Sequence, residues 1–247
     1  MKVGLFIPCY IEQCYPQVGL AMIDVLQSLG VEPVIPEKQT CCGQPMFNTG
    51  CVTETEKLAI KFYGDFKDYD YIVAPSGSCV HMVKHGYNQF FRSNPDFIRM
   101  QAATYEFCEF IHDILNVRSI AGTFPHKVGF HKSCHGLRGL RLEPASERNL
   151  VEPSKAQSLV EQLIGIEIVT LERSDECCGF GGTFSVFEKE LSIFMGQDRL
   201  RDHQQAGAEI ITGYDTSCLM HMEGILKSNN LDLKTMHVAE ILSEAIS

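Results

Sequence analysis

The sequence lacks any apolar run close to the roughly 20 residues that a membrane-spanning helix needs. Its start also lacks a basic region followed by an apolar block and a small-residue cleavage site, so we expect no secretory signal, no transmembrane segment and a cytoplasmic location. Lysine and arginine form no runs, and the net charge is -10. Because a phosphate-binding surface needs a basic face, we expect no nucleic-acid partner.

Glycine-rich nucleotide motifs are absent as well. The sequence has neither the P-loop nor the dinucleotide-binding pattern, and the GFGG segment at 179–182 lacks the spacing that such a motif requires. Flavin and nicotinamide are therefore not expected as cofactors. The 247 residues, 45% of them hydrophobic, are enough for one large domain or two small ones.

Cysteine, in contrast, is abundant. The chain has 11 cysteines, far more than an ordinary protein of a reducing compartment carries. In such a compartment cysteines serve as metal ligands or redox groups more often than they form disulfides. The arrangement of the cysteines therefore decides the interpretation.

An internal duplication organises the chain. The matching segments, in the same order in both copies, are VGLFIPC with VGFHKSC, LGVEPVIPEKQTCCG with IGIEIVTLERSDECCG, IVAPSGSC with ITGYDTSC, and TYEFCEFIHDIL with TMHVAEILSEAI. Because a repeat of this length is a structural unit, we predict two similar halves, residues 1–122 and residues 123–247.

Each half alternates predicted strands with helices. The expected strands are residues 3–7, 31–35, 71–74, 128–130, 166–171 and 209–212. Helical spacing of apolar residues predicts a helix from Pro16 to Gly30 and another that begins after Ser154. This alternation is typical of an α/β fold, so we predict a small parallel sheet flanked by helices in each half.

The repeat separates two kinds of cysteine. Those that recur are Cys9, Cys41, Cys42 and Cys79 in the first half and Cys134, Cys177, Cys178 and Cys218 in the second. Each follows a predicted strand, so the four of a set should meet at the edge where open α/β sheets bind ligands. We interpret them as two metal or cluster sites, against the alternative of buried structural thiols. Cys14, Cys51 and Cys108 do not recur and are expected to be structural, and Cys108 aligns with Ala239 as a small core residue.

Two kinds of metal site accept four thiolates, zinc and an iron-sulfur cluster. Side chains of adjacent residues diverge, so a Cys-Cys pair suits the separate irons of a cluster better than it suits one ion. The glycine after each pair, Gly43 or Gly179, would let backbone amides approach the sulfur atoms. We therefore favour clusters, and zinc remains the alternative or an adventitious occupant.

The order cysteine, Cys-Cys-Gly, cysteine occurs twice over nearly the whole chain and resembles the cysteine-rich CCG domain family. That family includes the CCG-domain subunit of heterodisulfide reductase, the glycolate oxidase iron-sulfur subunit and lactate utilization protein A. The phrases PCYIEQCYPQVG, CCGQPMFNTG, PSGSCVHMV and CCGFGGTFSV are most similar to the last of these.

This resemblance implies an iron-sulfur electron-transfer subunit of a complex that oxidises L-lactate to pyruvate without nicotinamide. It implies one [4Fe-4S] cluster per half, with the eight recurring cysteines as ligands. The implied partners are a ferredoxin-type iron-sulfur subunit and a third subunit of the lactate utilization system. It assigns no catalytic residue to this chain.

One position departs from the family pattern. In heterodisulfide reductase the motif ends with Cys-x-x-Cys and so provides five thiolates, whereas Met82 and His221 stand at that position here. His221 is either an unusual ligand or an ordinary helix residue. A thiol/disulfide reductase of the heterodisulfide type and a zinc-stabilised interaction protein remain alternative functions.

Histidines and arginines lie near the cysteines. His81 and His85 share a helix face by spacing, as surface residues or as contacts of a cluster or substrate. His131 and His135 flank Cys134, and they either adjust the cluster by hydrogen bonding or pack in the fold.

Two arginines, Arg138 and Arg141, follow in the same loop region. They would suit an anionic substrate such as lactate, because a guanidinium binds a carboxylate through paired hydrogen bonds. The alternative is that both are solvated loop charges.

Overall fold

Two four-stranded parallel sheets form the centre of the molecule. A computed structural model describes residues 1–91, 94–148 and 154–247. The first sheet contains β1 (Val3–Leu5), β2 (Pro33–Val34), β3 (Tyr71–Ala74) and β4 (Thr104–Glu106), and the second contains β5 (Lys127–Phe130), β6 (Glu167–Ile168), β7 (Ile210–Gly213) and β8 (Lys234–His237). The predicted α/β class and the internal duplication are both confirmed.

The two sheets have the same topology. Their strand orders are β2-β1-β3-β4 and β6-β5-β7-β8, and every pair is parallel. Strand β2 lies on one side of β1, and the next strand in the chain, β3, lies on the other side of β1. The carboxyl ends of β1 and β3 therefore form a topological switch point. The ends of β5 and β7 form a second one. Ligands of open α/β sheets bind at such points.

Each sheet has one strand more than the sequence predicted. The sequence of strand β4 is TYE and that of strand β8 is KTMH, so neither has an apolar run that would predict a strand. Both form by pairing with the buried strand beside them, β3 or β7. Tertiary context decides strand formation in such short, mixed segments.

Helices cover both faces of each sheet. The α-helices of the first half are Cys9–Cys14, Pro16–Ser28, Gln44–Asn48, Val52–Phe66, Gly77–His81, Asn88–Phe91, Pro95–Ala102 and Phe107–Glu109. Those of the second half are Lys155–Val160, Phe184–Phe187, Lys189–Gln205, Thr216–Ser228 and Val238–Ile246. Single π-helical segments occur at Met82–Gly86, Phe110–Ile114 and His135–Leu140, and a 3₁₀ turn at Ser146–Arg148. Within the described ranges, no helix combines the length and the apolarity that a bilayer crossing requires.

The predicted helix boundaries hold at two positions. The helix that starts at Pro16 ends at Ser28, just before Gly30, which adopts a left-handed conformation with φ of 78°. In the second half Ser154 is the N-cap of the helix Lys155–Val160, and its side chain accepts a hydrogen bond from the Gln157 amide. A serine cap satisfies an amide that the first helical turn leaves unpaired.

One hydrophobic core runs through both halves. Val25 and Ile111 from the first half and Val128 and Ile241 from the second belong to it, and all four are fully buried. Packing of the helix Pro16–Ser28 against Val238–Ile246 contributes to this contact. Burial of apolar surface stabilises such an interface and requires no specific orientation of the groups that meet. The halves are therefore joined by a common interior, which we call the shared core.

Two smaller cores lie on the opposite faces of the sheets. Along β3, Val73 faces the shared core while Ile72 and Ala74 face a second core whose buried residues all belong to the first half. This alternation follows from the two-residue period of a strand. Cys42 and Cys79 belong to that outer core, and the corresponding outer core of the second half contains Cys178 and Cys218.

Candidate functional site

The cysteines of the first set lie beyond the carboxyl ends of three strands. Cys9 begins the helix that follows β1, and Cys79 lies in the helix that follows β3. Cys41 and Cys42 lie in the loop after β2, just before the helix Gln44–Asn48. The sulfur atoms of Cys9 and Cys41 are 3.6 Å apart, and those of Cys42 and Cys79 are 3.5 Å apart. The four thiols therefore converge at the switch point of the first sheet.

The second set repeats this arrangement beyond β5, β6 and β7. The thiol of Cys134 is in hydrogen-bonding contact with that of Cys177, and Cys178 is in contact with both Cys177 and Cys218. Cys178 and Cys218 are buried, like their counterparts in the first half. The eight cysteines that recur in the sequence thus form two convergent sets of four thiols.

Both Cys-Cys-Gly loops place a backbone amide on a sulfur atom. The Gly43 amide donates to the sulfur of Cys41 at 3.4 Å, and the Gly179 amide donates to that of Cys177 at 3.3 Å. Each glycine is in the left-handed region, with φ of 79° and 87°. A residue with a Cβ rarely adopts this conformation, so the glycines are needed for this turn.

Crowding of the thiols separates their pKa values. Hydrogen bonds from the Cys42 thiol and other neighbours lower the pKa of Cys41 to about 3, and the same effect, led by Cys134, lowers that of Cys177 to about 2. The donating partners have raised pKa values, because they hold their protons against a neighbouring thiolate. Cys41 and Cys177 therefore lose their protons more readily than their hydrogen-bonding partners, and thiolates are the form that binds metal.

A single cleft between the halves is lined by both sets. The space measures about 760 Å³, part of it open to solvent, and all eight recurring cysteines lie in its wall. The rings of Tyr10 and Phe180 meet across it edge to face, with centroids 5.9 Å apart. The sequence predicted one set in each half but contained no sign that the two sets face the same opening.

Three of the histidines gather at the side of this cleft. The ring centroids of His81 and His85 are 4.7 Å apart, and those of His81 and His135 are 5.0 Å apart. Burial lowers the pKa of His81 to about 4, so it is neutral at physiological pH. His135 lies 3.1 Å from the Gln44 amide and 3.7 Å from the sulfur of Cys134. His135 is the one of the three that lines the cleft.

The position of the missing fifth cysteine is occupied differently in the two halves. Met82 is buried in the outer core of the first half. The Nε2 atom of His221 lies 3.2 Å from the carbonyl oxygen of Ser192, on the neighbouring helix. Through this nitrogen His221 is held by the helix Lys189–Gln205.

The cysteines that do not recur lie elsewhere. Cys108 is fully buried in the shared core together with Ala239, as their alignment predicted. Cys14 and Cys51 are exposed, and neither belongs to the residues described in the wall of the cleft. The two exposed thiols are consequently not core residues.

The two candidate arginines do not reach the cleft. Arg138 forms an ion pair with Glu147, with a distance of 2.6 Å between Nε and Oε1, and Arg141 is exposed. Among the described residues that line the cleft there is neither an arginine nor a lysine. The structure therefore gives no support for a carboxylate site built from these arginines.

Sequence reasoning missed several residues of the cleft wall. Gln44 and Phe180 follow the Cys-Cys-Gly motifs directly, and Asp215 lies three residues before Cys218. Their places next to the repeated motifs were the available signal. They were missed because the two copies carry different residues there, so the repeat did not select them.

The donor chemistry fits a thiophilic metal centre. Four cysteine sulfurs converge in each half, with a backbone amide already directed at one of them. In the second half, ligand atoms of His131, Cys178 and Cys218 lie within 4.8 Å of one another, which is close enough to hold a metal. Such sets suit zinc or iron-sulfur clusters rather than hard oxygen-binding cations.

Comparison with known proteins agrees with this arrangement. The model of the cysteine-rich domain CCG matches residues 3–84 and 128–223. The chain is 39% identical over 251 residues to Lactate utilization protein A of Exiguobacterium sp., with 99% of this chain and 98% of that protein covered. It is 37% identical over 248 residues to Lactate utilization protein A 1 of Bacillus mycoides, with coverage of 99% and 97%.

A solved structure shares the fold. A hypothetical protein from Helicobacter pylori superposes with a TM-score of 0.65 at 9% identity, and the match covers all of this chain. This chain spans 49% of the length of that protein. At such low identity the likeness concerns the fold alone.

Proposed function

This chain belongs to the cysteine-rich CCG domain family, and we propose that it is an iron-sulfur electron-transfer subunit of a lactate utilization system. The relatives named Lactate utilization protein A match it over nearly their full length. In this proposal, electrons from the oxidation of L-lactate to pyruvate pass through the chain towards a respiratory acceptor. The proposed ligand set is the two groups of four thiols described above.

The convergence of these thiols carries the proposal. Cys9, Cys41, Cys42 and Cys79 would hold one [4Fe-4S] cluster, and Cys134, Cys177, Cys178 and Cys218 would hold another. A bound cluster supplies one-electron transfer. The protein's own contribution is to fix the thiolates, to donate amide hydrogen bonds to sulfur and to bury half of each set in an apolar outer core.

Lactate oxidation itself is better placed on a partner. The described wall of the cleft offers no guanidinium or ammonium group for a carboxylate, and His135 is its one basic side chain. We therefore propose that a ferredoxin-type iron-sulfur subunit and a third subunit complete the system, and that this chain accepts electrons from them or passes electrons to them.

A disulfide-reducing role is less well supported. The family members with that chemistry use a fifth thiolate, and here Met82 is packed in a core while His221 is held by Ser192. Neither half provides a fifth thiolate at that position.

Anaerobic purification tests the cofactor assignment. The wild-type chain should be brown and contain about eight irons, four for each cubane. Cys42→Ser and Cys178→Ser should each remove about half of the iron, because each disrupts one set. Cys51→Ser is the matched control and should leave iron unchanged, since that thiol is exposed and outside the cleft. Colourless protein with one zinc per set would select a structural zinc site instead.

The functional assignment needs a separate test. With partner subunits present, L-lactate should bleach the visible absorbance of the iron-loaded chain, and the chain alone should respond weakly or not at all. An iron-loaded chain that stays oxidised when lactate and both partners are present would contradict the lactate assignment.

A further inference from the structure

His131 is a buried histidine that reaches the second set of cysteines. It follows β5 directly, its side chain is 1% exposed, and its ligand nitrogen lies within 4.8 Å of the sulfurs of Cys178 and Cys218. The Cys177 thiol contacts that of Cys178, and the Cys134 thiol contacts that of Cys177. One imidazole nitrogen therefore lies beside two of the four sulfurs of the second set.

Neither ring nitrogen of His131 has a hydrogen-bond partner among the described residues. A neutral imidazole has a free lone pair on one of its two nitrogens, which can bind a metal. Buried polar atoms in native proteins nearly always have partners. Two unpaired nitrogens beside a group of thiols therefore indicate a ligand that belongs in this space.

The first half has a different residue at this position. The alignment of VGLFIPC with VGFHKSC places Phe6 opposite His131. Phe6 packs edge to face against Phe62 and Phe66, with ring centroids 5.0 Å and 5.8 Å away. The three aromatic rings thus share a core with Cys42 and Cys79 of the first set, and they contribute no donor atom.

Polar residues replace this aromatic group in the second half. The helix Lys189–Gln205 carries Arg199 and His203 four residues apart. Phe62 and Phe66 have the same spacing on the helix Val52–Phe66 of the first half. Arg199 is fully buried, its guanidinium lies 3.3 Å from the ring of His203, and it pairs with Asp202 at 3.0 Å. His131 therefore has polar neighbours where Phe6 has aromatic ones, and this suits a polar ligand on its side of the second set.

The other histidines near the second set already have partners. The ring of His135 contacts Gln44 at 3.1 Å, and the ring of His221 contacts the Ser192 carbonyl at 3.2 Å. His131 is thus the histidine near the second set whose two nitrogens are both free for a metal centre, within the described structure.

We propose that an imidazole nitrogen of His131 is a fifth donor to the metal centre of the second site, whereas the first site has four thiolate donors only. The inference rests on the proposed function, because it requires a bound iron-sulfur centre. Neutral imidazole is a suitable ligand for iron. The two halves would then hold centres with different ligand sets in spite of their common fold.

Pulsed electron paramagnetic resonance of the dithionite-reduced, iron-loaded chain tests this ligand. The wild type should show a strong coupling to histidine nitrogen, and incorporation of ¹⁵N-histidine should convert it to the ¹⁵N pattern. His131→Phe, which copies the first half, should abolish the coupling. His135→Gln and His221→Gln are the matched controls and should retain it.

The outcomes separate this inference from the proposed function. A wild-type chain that binds iron and sulfide but shows no strong histidine coupling would overturn the inference and leave the iron-sulfur assignment intact. Retention of the coupling in His131→Phe would do the same. Failure of the wild type to bind iron and sulfide would overturn both. If His131→Phe does not fold, loss of the coupling in either control variant still decides against His131, and retention in both supports it.

Discussion

The backbone amide of Ser78 in the first half donates a hydrogen bond of 2.8 Å to the carboxylate of Asp215 in the second half. The Ser78 hydroxyl also donates to this carboxylate, at 3.2 Å. Asp215 is the N-cap residue of the helix Thr216–Ser228, yet its side chain caps the helix Gly77–His81 of the opposite half. The helix that carries Cys79 is therefore positioned from the second half.

Removal of this carboxylate should loosen the contact between the halves. We expect Asp215→Ala to lower the free energy of unfolding by about 1–3 kcal/mol, because it leaves buried donors unpaired. Asp215→Asn, which keeps an acceptor oxygen, should have a smaller effect. Chemical denaturation measures the change, and Asp232→Ala, at an exposed carboxylate, is the control. Equal stability of the Asp215→Ala and Asp232→Ala variants would contradict this role.

The glycines of the chain offer a graded test of the Cys-Cys-Gly turn. Gly50, Gly43 and Gly179 all have positive φ, but they differ in the space around an added Cβ. At Gly50 the Cβ would have no neighbour within 4 Å. At Gly43 it would lie 3.1 Å from the Leu58 side chain, and at Gly179 it would lie 2.7 Å from the Ser192 carbonyl oxygen. Gly50→Ala should therefore show only the left-handed strain, about 1–2 kcal/mol. Gly179→Ala should lose more stability and also iron.

Thermal unfolding and iron content of the three alanine variants check this order. We expect Gly43→Ala to lie between the other two, since a flexible leucine yields more easily than a backbone carbonyl. Full iron content in Gly179→Ala would show that the amide bond to Cys177 does not require this turn.

The shared core predicts that neither half is stable alone. We propose the boundary between the halves after residue 122, and a fragment of residues 1–122 would expose Val25 and Ile111, which are fully buried in the whole chain. The fragment should bind a hydrophobic dye and unfold without cooperativity. A full chain cleaved between Arg118 and Ser119 should stay folded, because its core is intact. Cooperative unfolding of the isolated fragment would contradict this expectation.

Glu143 should make stability depend on pH. It is buried, one of its carboxylate oxygens has no partner in the described structure, and burial raises its pKa from 4.5 to about 7. The folded chain therefore holds this proton more tightly than the unfolded chain. The resulting stabilisation is complete below pH 4.5 and is lost as the pH rises through 7, by up to roughly 3 kcal/mol.

Glu143→Gln removes this titration. Relative to wild type, the variant should gain stability between pH 5 and pH 8, as measured by denaturant unfolding of the metal-free chain at both values. Wild-type and variant stabilities that change in parallel over this interval would show that Glu143 keeps an ordinary pKa.

The convergence of the cysteines was accessible from the sequence because two simple rules apply to it. Strands of a parallel sheet end at the same edge, and a repeat separates residues with a common role from the rest. Cys9 and Cys41 consequently come within 3.6 Å although 32 residues separate them in the chain. Cys108 was likewise identified as a core residue by its alignment with Ala239.

Other features depend on contacts that periodicity does not encode. Strand β4 has no apolar run and forms by pairing with β3. The common cleft depends on how the halves pack, which is fixed by contacts such as the one between Ser78 and Asp215. The free nitrogens of His131 became apparent only when its neighbours were known.

The shared core also explains how two copies of one fold can become chemically different. The inner faces of both sheets pack into this shared core, so substitutions there would disrupt the packing between the two halves. Phe6 and His131 lie instead towards the outer sides, beside the cysteines of their own half. Sequence changes after the duplication are thus tolerated at positions that alter the environment of one site. Such changes leave the packing between the two halves unchanged.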